Sequence, residues 1–174
     1  MAGRDDGAAQ PGATRTGFGS DRHPFGPGDG LWLGGIEIAG APRLHGHSDG
    51  DVALHAAAGA MLGAAALGDL GDLYPADERT PRGSASSAFV RDVVGRLGAA
   101  GWRPASLDLT IRAARPRLAP HVPAMREAIA RLLGIDEAAV SVKASTGNLS
   151  GDAGGGRVVE AEAVATIVRA GSAT

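Results

Sequence analysis

Two short polar segments in the first third of the chain carry residue types that bind metal ions. Asp21 and His23 flank a single residue, so in an extended strand their side chains point to the same side and can share one ion. His55 follows Asp51 by about one helical turn, inside an otherwise apolar, alanine-rich stretch. One carboxylate and two imidazoles are a three-ligand set of the kind that leaves a fourth position open on a catalytic zinc ion. The pattern predicts a site for Zn²⁺, or another divalent transition metal, at Asp21, His23 and His55.

Each of these residues also has an ordinary structural explanation. An Asp-x-His sequence arises by chance, and a single histidine on an apolar helix face is usually a core residue that a neighbour satisfies. His47 and Ser48 lie at the entry of the same helix, where a polar side chain can cap free backbone N–H groups, as Asp49 or Asp51 can equally well. Because capping needs only one of these residues, His47 remains a candidate donor to an anionic ligand.

Two further segments have the composition of phosphate-binding loops. Residues 113–121, AARPRLAPH, are a basic, proline-containing connection between a predicted strand and a helix N-terminus. Residues 143–148, KASTGN, leave a strand end with two hydroxyls and a glycine. Backbone amides, hydroxyls and helix N-termini bind phosphate oxygens without a large net positive charge. Each segment is also compatible with an ordinary connection, and the residues alone leave both interpretations open.

The composition limits the classes of chemistry and partner. The 174-residue chain contains no cysteine, which excludes disulfides, thiolate zinc ligands and a cysteine nucleophile. A formal net charge of -2 gives no electrostatic basis for binding nucleic acid or an anionic membrane. No apolar run approaches the roughly 20 residues that a membrane span needs, and no signal-peptide core is visible. We therefore expect a cytoplasmic protein with neither nucleic acid nor membrane as a partner.

The elements that must position these residues follow from the hydrophobic pattern. It predicts an α/β fold, an α+β two-layer sandwich with helices packed on one face of a mixed β-sheet. The predicted strands are 14–19, 31–40 with a kink at its Gly-Gly pair, 107–112, 140–144 and 158–168, and the predicted helices are 52–67, 84–100 and 118–133. A turn is expected at Gly-Pro-Gly, 26–28, and a glycine-rich loop before the last strand. We expect one domain over residues 14–170 after a disordered tail at 1–13.

Aromatic residues make up 3% of the chain, and 28 residues are glycine. A core of small side chains packs elements closely but buries less area per residue than an aromatic core. The composition therefore favours stabilisation by association with other copies.

Taken in order along the chain, the polar segments resemble a known enzyme family. The motifs are GSDRHPF at 19–25, GHSDGDVALH at 46–55, AAALGDLG at 64–71, ARPRL at 114–118, HVPAMR at 121–126 and VSVKAST at 140–146. Over residues 15–170 the sequence is similar to the 2-C-methyl-D-erythritol 2,4-cyclodiphosphate synthases of the non-mevalonate isoprenoid pathway. The resemblance implies a metal-dependent phosphorus–oxygen lyase. It would cyclise 4-diphosphocytidyl-2-C-methyl-D-erythritol 2-phosphate to the cyclodiphosphate and release CMP.

The resemblance also implies an assembly and a set of roles. It implies a homotrimer with an active site at each subunit interface, a transition metal on Asp21, His23 and His55, and Mg²⁺ or Mn²⁺ bridging the substrate phosphates. His47 and Thr146 are implied to stabilise the transferring phosphate. The residues that match substrate contacts at the methylerythritol and phosphate end are Asp21, His23, His47, Ser48, Asp69, Leu70, Gly71, Tyr74 and Asp77. Those that match contacts to the cytidine diphosphate part are Ala113, Ala114, Arg115, Pro116, Arg117, Leu118, Ala119, Ser145, Thr146, Gly147 and Asn148.

The chain departs from the family pattern at three places. Ala76 comes before Asp77, where the family usually places an Asp directly after the proline. Asn148 replaces a Glu that helps to hold the second divalent ion, and an uncharged ligand predicts weaker magnesium binding. The loop GDAGGGRV at 151–158 lacks the family's aromatic residue. It also displaces an Arg that in the family lies near the trimer axis, where Glu162 matches a family Glu. Arg157 is a candidate replacement for that Arg.

These departures leave two other functions open. One is a catalytically altered relative that binds zinc and a cytidine nucleotide without turnover. The other is a zinc-dependent phosphohydrolase that uses water at the open metal position and leaves a linear phosphate.

Overall fold

The computed structural model describes residues 12–171, and residues 1–11 of the predicted N-terminal tail lie outside this range. The strands are β1 (Thr14–Leu33), β2 (Ile36–Leu44), β3 (Trp102–Arg112), β4 (Val140–Ser145) and β5 (Val158–Arg169). The helices are α1 (Val52–Ala65), α2 (Leu70–Leu73), α3 (Ser86–Ala99), α4 (Val122–Leu133) and α5 (Gly151–Gly154), and short 3-10 turns lie at 119–121, 137–139 and 147–149. None of the described helices combines the length and apolar character that crossing a membrane requires.

The strands form one mixed sheet in the order β2-β1-β5-β3-β4. The pair β3 and β4 is parallel, and the other neighbouring pairs are antiparallel. The long helices α1, α3 and α4 cover one face, where the inward-facing residues of β3 and β5 form the buried core. This arrangement confirms the predicted α/β sandwich.

Small residues allow helix α1 to lie directly against the sheet. Gly17 and Gly19 of β1 face this helix, and a Cβ atom on either one would overlap its backbone near Ala60. Ala163 and Ala165 on β5 lie opposite these glycines in the register and are buried. The close approach explains why this part of the core contains small side chains instead of aromatic ones.

The opposite face of the sheet is exposed in the single chain. Phe18 and Val164 pair directly across β1 and β5 on this face and are 62% and 41% exposed. An ion pair at 2.9 Å between Arg112 and Glu162 joins β3 to β5 on the same face. A solvent-exposed apolar pair beside ordered charges is a surface suited to association with another copy of the chain.

The sequence-based prediction was wrong at two glycine-containing segments near the N-terminus. The chain does not turn at 26–28; β1 continues to Leu33 as it passes from pairing with β5 to pairing with β2, and register shifts between Phe25 and Leu31 absorb the extra residues. Gly34 and Gly35 do not kink one strand but form the turn between β1 and β2. Their φ angles of 63° and 80° are those of a two-residue hairpin turn, which glycine adopts without steric cost.

Asp51 determines where helix α1 begins. Its buried carboxylate accepts the backbone N–H of Leu54 at 3.0 Å, which caps the helix. The same carboxylate accepts the N–H groups of Gly34 and Gly35 at 2.9 and 2.7 Å. The start of α1 is thereby fixed to the turn that ends β1, and this bond network sets the position of His55 relative to β1.

Candidate active site

Asp21, His23 and His55 converge where β1 passes under the first turns of α1. Asp21 Oδ2 lies 3.1 Å from His23 Nε2 and 2.8 Å from His55 Nδ1. One ligand atom from each residue can be chosen so that all three lie within 4.8 Å of one another. The two-residue period of β1 directs Asp21 and His23 to the helix face, and the capped start of α1 places His55 above them. The structure therefore brings together the three residues that the sequence predicts as metal ligands.

The hydrogen bond on the far side of the His23 ring supports metal binding at this cluster. His23 Nδ1 lies 2.7 Å from the carbonyl oxygen of His45, and a carbonyl can only accept, so Nδ1 carries a hydrogen. In the neutral ring, Nε2 then presents a lone pair toward the carboxylate of Asp21. Two electron-rich atoms at this separation need a cation between them, which is either a proton or a metal ion. The donor set thus fits a divalent metal.

The electrostatics of the cluster keep Asp21 ionised. Burial disfavours its charged form. The hydrogen bonds that His23 and His55 form with Asp21 when a proton takes the place of a metal ion outweigh burial and hold the pKa of Asp21 well below its usual range. The hydrogen bond to Asp21 raises the pKa of His23, against the opposing effect of burial. At neutral pH Asp21 is therefore a carboxylate and can act as an anionic metal ligand.

A cavity of about 240 Å³ opens beside this cluster. Its lining residues are His23, His47, Ser48, His55, Leu70, Gly71, Tyr74, Ala76, Thr80 and Phe89. His47 Nε2 donates to the carbonyl oxygen of Thr80 at 2.5 Å, so the neutral ring keeps a lone pair at Nδ1. Donation from Nδ1 to an anion requires the doubly protonated ring. Of the residues predicted to contact the methylerythritol and phosphate end, most line this cavity.

Asp69 and Asp77 were also predicted to contact the substrate, but they lie beside the cavity and do not line it. Asp69 caps α2 by accepting the N–H of Asp72 at 2.8 Å, and it lines a neighbouring cavity that also contains Asp21. Asp77 pairs with Arg79 at 2.7 Å in the loop beyond Ala76. The Arg79 guanidinium lowers the pKa of the Asp77 carboxyl.

One wall of the cavity is formed by the aromatic rings of Tyr74 and Phe89, and only Tyr74 was predicted from the sequence. The rings of Tyr74 and Phe89 stack with centroids 4.3 Å apart, and the Phe89 ring lies 6.2 Å from that of His55. The Tyr74 hydroxyl donates to Asp92, which also accepts from Arg96 at 2.8 Å. Phe89 lies on α3 outside every motif of the resemblance, and no local feature of the sequence marks it as part of a cavity wall.

Most of the residues predicted to hold the cytidine diphosphate part line a second cavity. This cavity has a volume of about 200 Å³ and is lined by Ala113, Ala114, Pro116, Arg117, Leu118, Ala119, Ala144, Ser145 and Thr146. Within the described chain the two cavities share no lining residue. The structure of one chain therefore places Thr146 and His47, the two residues predicted to act on one phosphate, in different cavities.

Three residues of the second predicted set lie outside this cavity. The Arg115 guanidinium covers the ring of Phe25 at 4.4 Å, and its Nε donates to the carbonyl oxygen of Gly156 at 3.3 Å. Gly147 and Asn148 form the 3-10 turn after β4, where Asn148 has a left-handed φ of 54°. Asparagine tolerates this conformation better than most side chains, which gives the substitution for Glu a local structural reason.

A family model described as the YgbB family matches residues 14–168, which is most of the chain. The chain belongs to this family. Among curated YgbB relatives, it is 47% identical over 151 residues to the 2-C-methyl-D-erythritol 2,4-cyclodiphosphate synthase of Symbiobacterium thermophilum; the match covers 87% of this chain and 96% of that protein. It is 46% identical over 154 residues to the bifunctional enzyme IspD/IspF of Novosphingobium aromaticivorans, covering 88% of this chain but 40% of that longer protein.

Solved structures of the same family have the same fold. The bifunctional IspDF of Campylobacter jejuni matches with a TM-score of 0.86 and 32% identity, over 91% of this chain and 43% of that chain. A CDP complex of IspF from Plasmodium falciparum matches with a TM-score of 0.78 and 27% identity, over 90% of this chain and 97% of that chain. The described YgbB fold is therefore found both in stand-alone proteins and as part of larger ones.

Proposed function

We propose that this YgbB-family chain is a 2-C-methyl-D-erythritol 2,4-cyclodiphosphate synthase. It converts 4-diphosphocytidyl-2-C-methyl-D-erythritol 2-phosphate to the 2,4-cyclodiphosphate and releases CMP. The observation that carries the proposal is the cluster of Asp21, His23 and His55 at the mouth of a cavity that also contains His47 and Ser48. The synthase of Symbiobacterium thermophilum, to which the chain is 47% identical, supports the same activity.

The chemistry requires positioning and charge neutralisation more than proton abstraction. The substrate's 2-phosphate attacks the nearer phosphorus of the diphosphate, a new P–O bond closes the ring, and the bond to CMP breaks. Because the phosphate nucleophile is already an anion at neutral pH, no strong general base is needed. Holding both ends of one molecule together lowers the barrier, by up to roughly 7–11 kcal/mol in well-oriented model reactions.

Each group of residues around the cavity has a part in this reaction. Asp21, His23 and His55 would hold the metal, which when bound supplies Lewis-acid polarisation of a phosphate oxygen. Ser48, and His47 when its ring is doubly protonated, would donate hydrogen bonds to phosphate oxygens whose charge grows during transfer. The aromatic wall contacts the hydrocarbon part of the substrate and excludes water from that side.

The proposal places the cytidine end in the second cavity of a neighbouring subunit of a homotrimer. Three observations support this arrangement. The two cavities of one chain share no described lining residue, the pair Phe18 and Val164 is exposed on the sheet, and Leu149 in the loop after β4 is 68% exposed. In the trimer, Thr146 of one chain would approach His47 of the next. The CDP-bound Plasmodium falciparum relative supports a cytidine nucleotide as part of the substrate.

Two predictions from the sequence complete the proposal. Asn148 would help to hold Mg²⁺ or Mn²⁺ through its amide oxygen, more weakly than the Glu of the family, and the ion would neutralise charge on the substrate phosphates. The cytoplasm remains the predicted location of the enzyme.

The test is to incubate the purified chain with substrate, Zn²⁺ and Mg²⁺ and to follow ³¹P resonances together with CMP. We expect CMP and cyclic diphosphate in equal amounts, and none of either from the His55→Ala variant. A linear phosphate product would instead identify a hydrolase. Binding of zinc and CDP without CMP release would identify a relative that has lost turnover.

A further inference from the structure

We infer that Ser86 and Asp49 position His55 for metal binding by determining which of its two ring nitrogens carries the hydrogen. The inference rests on the metal site in the proposed function and adds two residues that no motif of the resemblance assigns to it. Ser86 is the first residue of α3 and is fully buried, whereas His55 lies on α1. The contact exists because these two helices pack together on the sheet.

The bonding partners of Ser86 determine whether its hydroxyl donates or accepts at each contact. Its Oγ bonds to Asp49 Oδ1, and its backbone N–H donates to Asp49 Oδ2 at 2.9 Å. Since an ionised carboxylate can only accept, the Ser86 hydroxyl donates its hydrogen to Asp49. The Ser86 oxygen then has only lone pairs to offer to any other neighbour.

That neighbour is His55. Its Nε2 lies 2.9 Å from Ser86 Oγ, and 3.2 Å from Ser48 Oγ. Because the Ser86 oxygen accepts at this contact, Nε2 carries the hydrogen and donates it. The neutral ring therefore has its lone pair on Nδ1, which is the nitrogen 2.8 Å from Asp21 Oδ2. The relay from His55 through Ser86 to Asp49 turns the metal-binding nitrogen toward the cluster.

Asp49 is itself held firmly enough to act as the end of this relay. Its backbone N–H donates to the carbonyl oxygen of Ser84 at 3.0 Å, and its Oδ1 accepts the backbone N–H of Asp51 at 3.2 Å. Its carboxylate lies at the N-terminus of α3, where the helix dipole favours a negative charge. Asp49 therefore links the start of α1, through Asp51, to the start of α3.

The relay accounts for the density of polar residues before α1. Asp51 caps this helix, so a second cap is not needed. Asp49 instead accepts the backbone N–H at the start of α3 and, through Ser86, orients His55. A carboxylate that orients a metal-binding histidine through its second nitrogen is a general device, and removing such a partner typically weakens metal binding by 10–100-fold. Here a serine hydroxyl carries the effect from the carboxylate to the ring.

The first experiment is a Co²⁺ titration of the full chain, followed by the visible absorption of the bound metal. We expect Ser86→Ala to bind Co²⁺ about 10–100-fold more weakly than the wild type. Ser87→Ala is the matched control, because Ser87 is the next residue of the same helix and its Oγ contacts Arg91 instead. Equal affinity of wild type, Ser86→Ala and Ser87→Ala would overturn the inference. A wild type that binds no Co²⁺ would refute the proposed metal site itself.

The second experiment reads the hydrogen position directly and does not depend on metal affinity. Long-range ¹H–¹⁵N correlation of histidine-labelled, metal-free Asp21→Ala protein at mildly alkaline pH reports the tautomer of each ring, and adding His55→Gln assigns the resonance. The Asp21→Ala background removes the carboxylate that would otherwise hold a hydrogen on Nδ1. In this background we expect His55 to be protonated at Nε2, both alone and with Ser87→Ala added. Asp49→Asn should populate the Nδ1–H form, because an amide N–H can reverse the Ser86 hydroxyl. An unchanged tautomer in folded Asp49→Asn would contradict the relay.

Discussion

Asp51 and Gly35 are joined by a hydrogen bond of 2.7 Å from the glycine N–H to the buried carboxylate. Since the same carboxylate caps α1, one side chain holds the β1–β2 turn and the metal-site helix in a fixed relation. The position of His55 over Asp21 therefore depends on Asp51, whose backbone carbonyl oxygen also accepts the N–H of His55 at 3.0 Å. The stability of the fold and the geometry of the site are linked at this point.

The first prediction concerns this bond network. Asp51→Ala leaves three backbone N–H groups without their acceptor and should lower the free energy of unfolding by about 3 kcal/mol. Asp51→Asn keeps one acceptor oxygen and should lose less. Denaturant titration at fixed protein concentration measures both. Asp136→Ala, which removes an exposed cap of a 3-10 turn, is the control and should change the free energy by less than about 1 kcal/mol.

The second prediction concerns the metal ligands. His55→Ala should abolish stoichiometric zinc binding and turnover, because two ligands hold the ion far more weakly than three, while the fold is retained. Metal analysis after gel filtration, with circular dichroism for the fold, measures both. His121→Ala, a partly exposed histidine at the start of α4, should bind zinc like the wild type. Full zinc occupancy in His55→Ala would refute the ligand assignment.

The third prediction uses Tyr74, the single tyrosine of the chain. Burial and the neighbouring Asp92 carboxylate raise the pKa of Tyr74 from 10.0 to about 12. The folded protein holds the phenol proton more tightly than the unfolded chain does. Stabilisation from this bond is therefore present below pH 10 and is lost as the pH rises toward 12. Ultraviolet titration of phenolate absorbance should show a midpoint near 12 for the folded wild type.

The matched variant for this titration is Asp92→Asn. It removes the carboxylate charge and keeps a group of the same size, so the pKa of Tyr74 should fall back toward 10.0. A wild-type midpoint near 10 in protein that is still folded would show that the hydroxyl does not bond to Asp92.

The fourth prediction concerns the exposed sheet face. Val164→Glu places a charge in the pair with Phe18 and should convert the proposed trimer to monomers, because the buried carboxylates would be unpaired. Analytical ultracentrifugation should give three times the 17.3 kDa chain mass for the wild type and one times that mass for the variant. Trp32→Glu, at an exposed aromatic near β2, is the control and should remain trimeric. A monomeric wild type would refute the homotrimer.

The fifth prediction concerns Asn148. Asn148→Glu should lower the magnesium concentration needed for half-maximal turnover, because it restores a charged oxygen ligand. The left-handed φ of 54° means that Glu also costs roughly 1–2 kcal/mol of local strain. Asn148→Gly relieves the strain without adding a ligand and separates the two effects. If Asn148→Glu and Asn148→Gly give the same magnesium titration, another residue holds the second ion.

Much of the site could be predicted because its signals are local. Asp21 and His23 are two residues apart in a strand, so a period of two was enough to place both side chains on one face. Polar residues that can cap a helix, followed by an apolar, alanine-rich stretch, placed His55 near the start of a helix, and the structure then identified Asp51 as the cap. The errors at 26–28 and at Gly34 and Gly35 have a common cause. Glycine permits a bulge, a turn or a kink equally, and the neighbouring strand decides which one forms.

The sequence by itself determined the family, the three residues of the proposed metal site and the alternation of strands and helices, because motifs and hydrophobic periods are properties of neighbouring residues. Only the tertiary structure decided which distant groups complete the site. Ser86 and Phe89 reach His55 because α3 packs against α1, and packing depends on the shapes of two helix faces and the sheet beneath them. The tertiary structure also places Thr146 and His47 in different cavities of one chain.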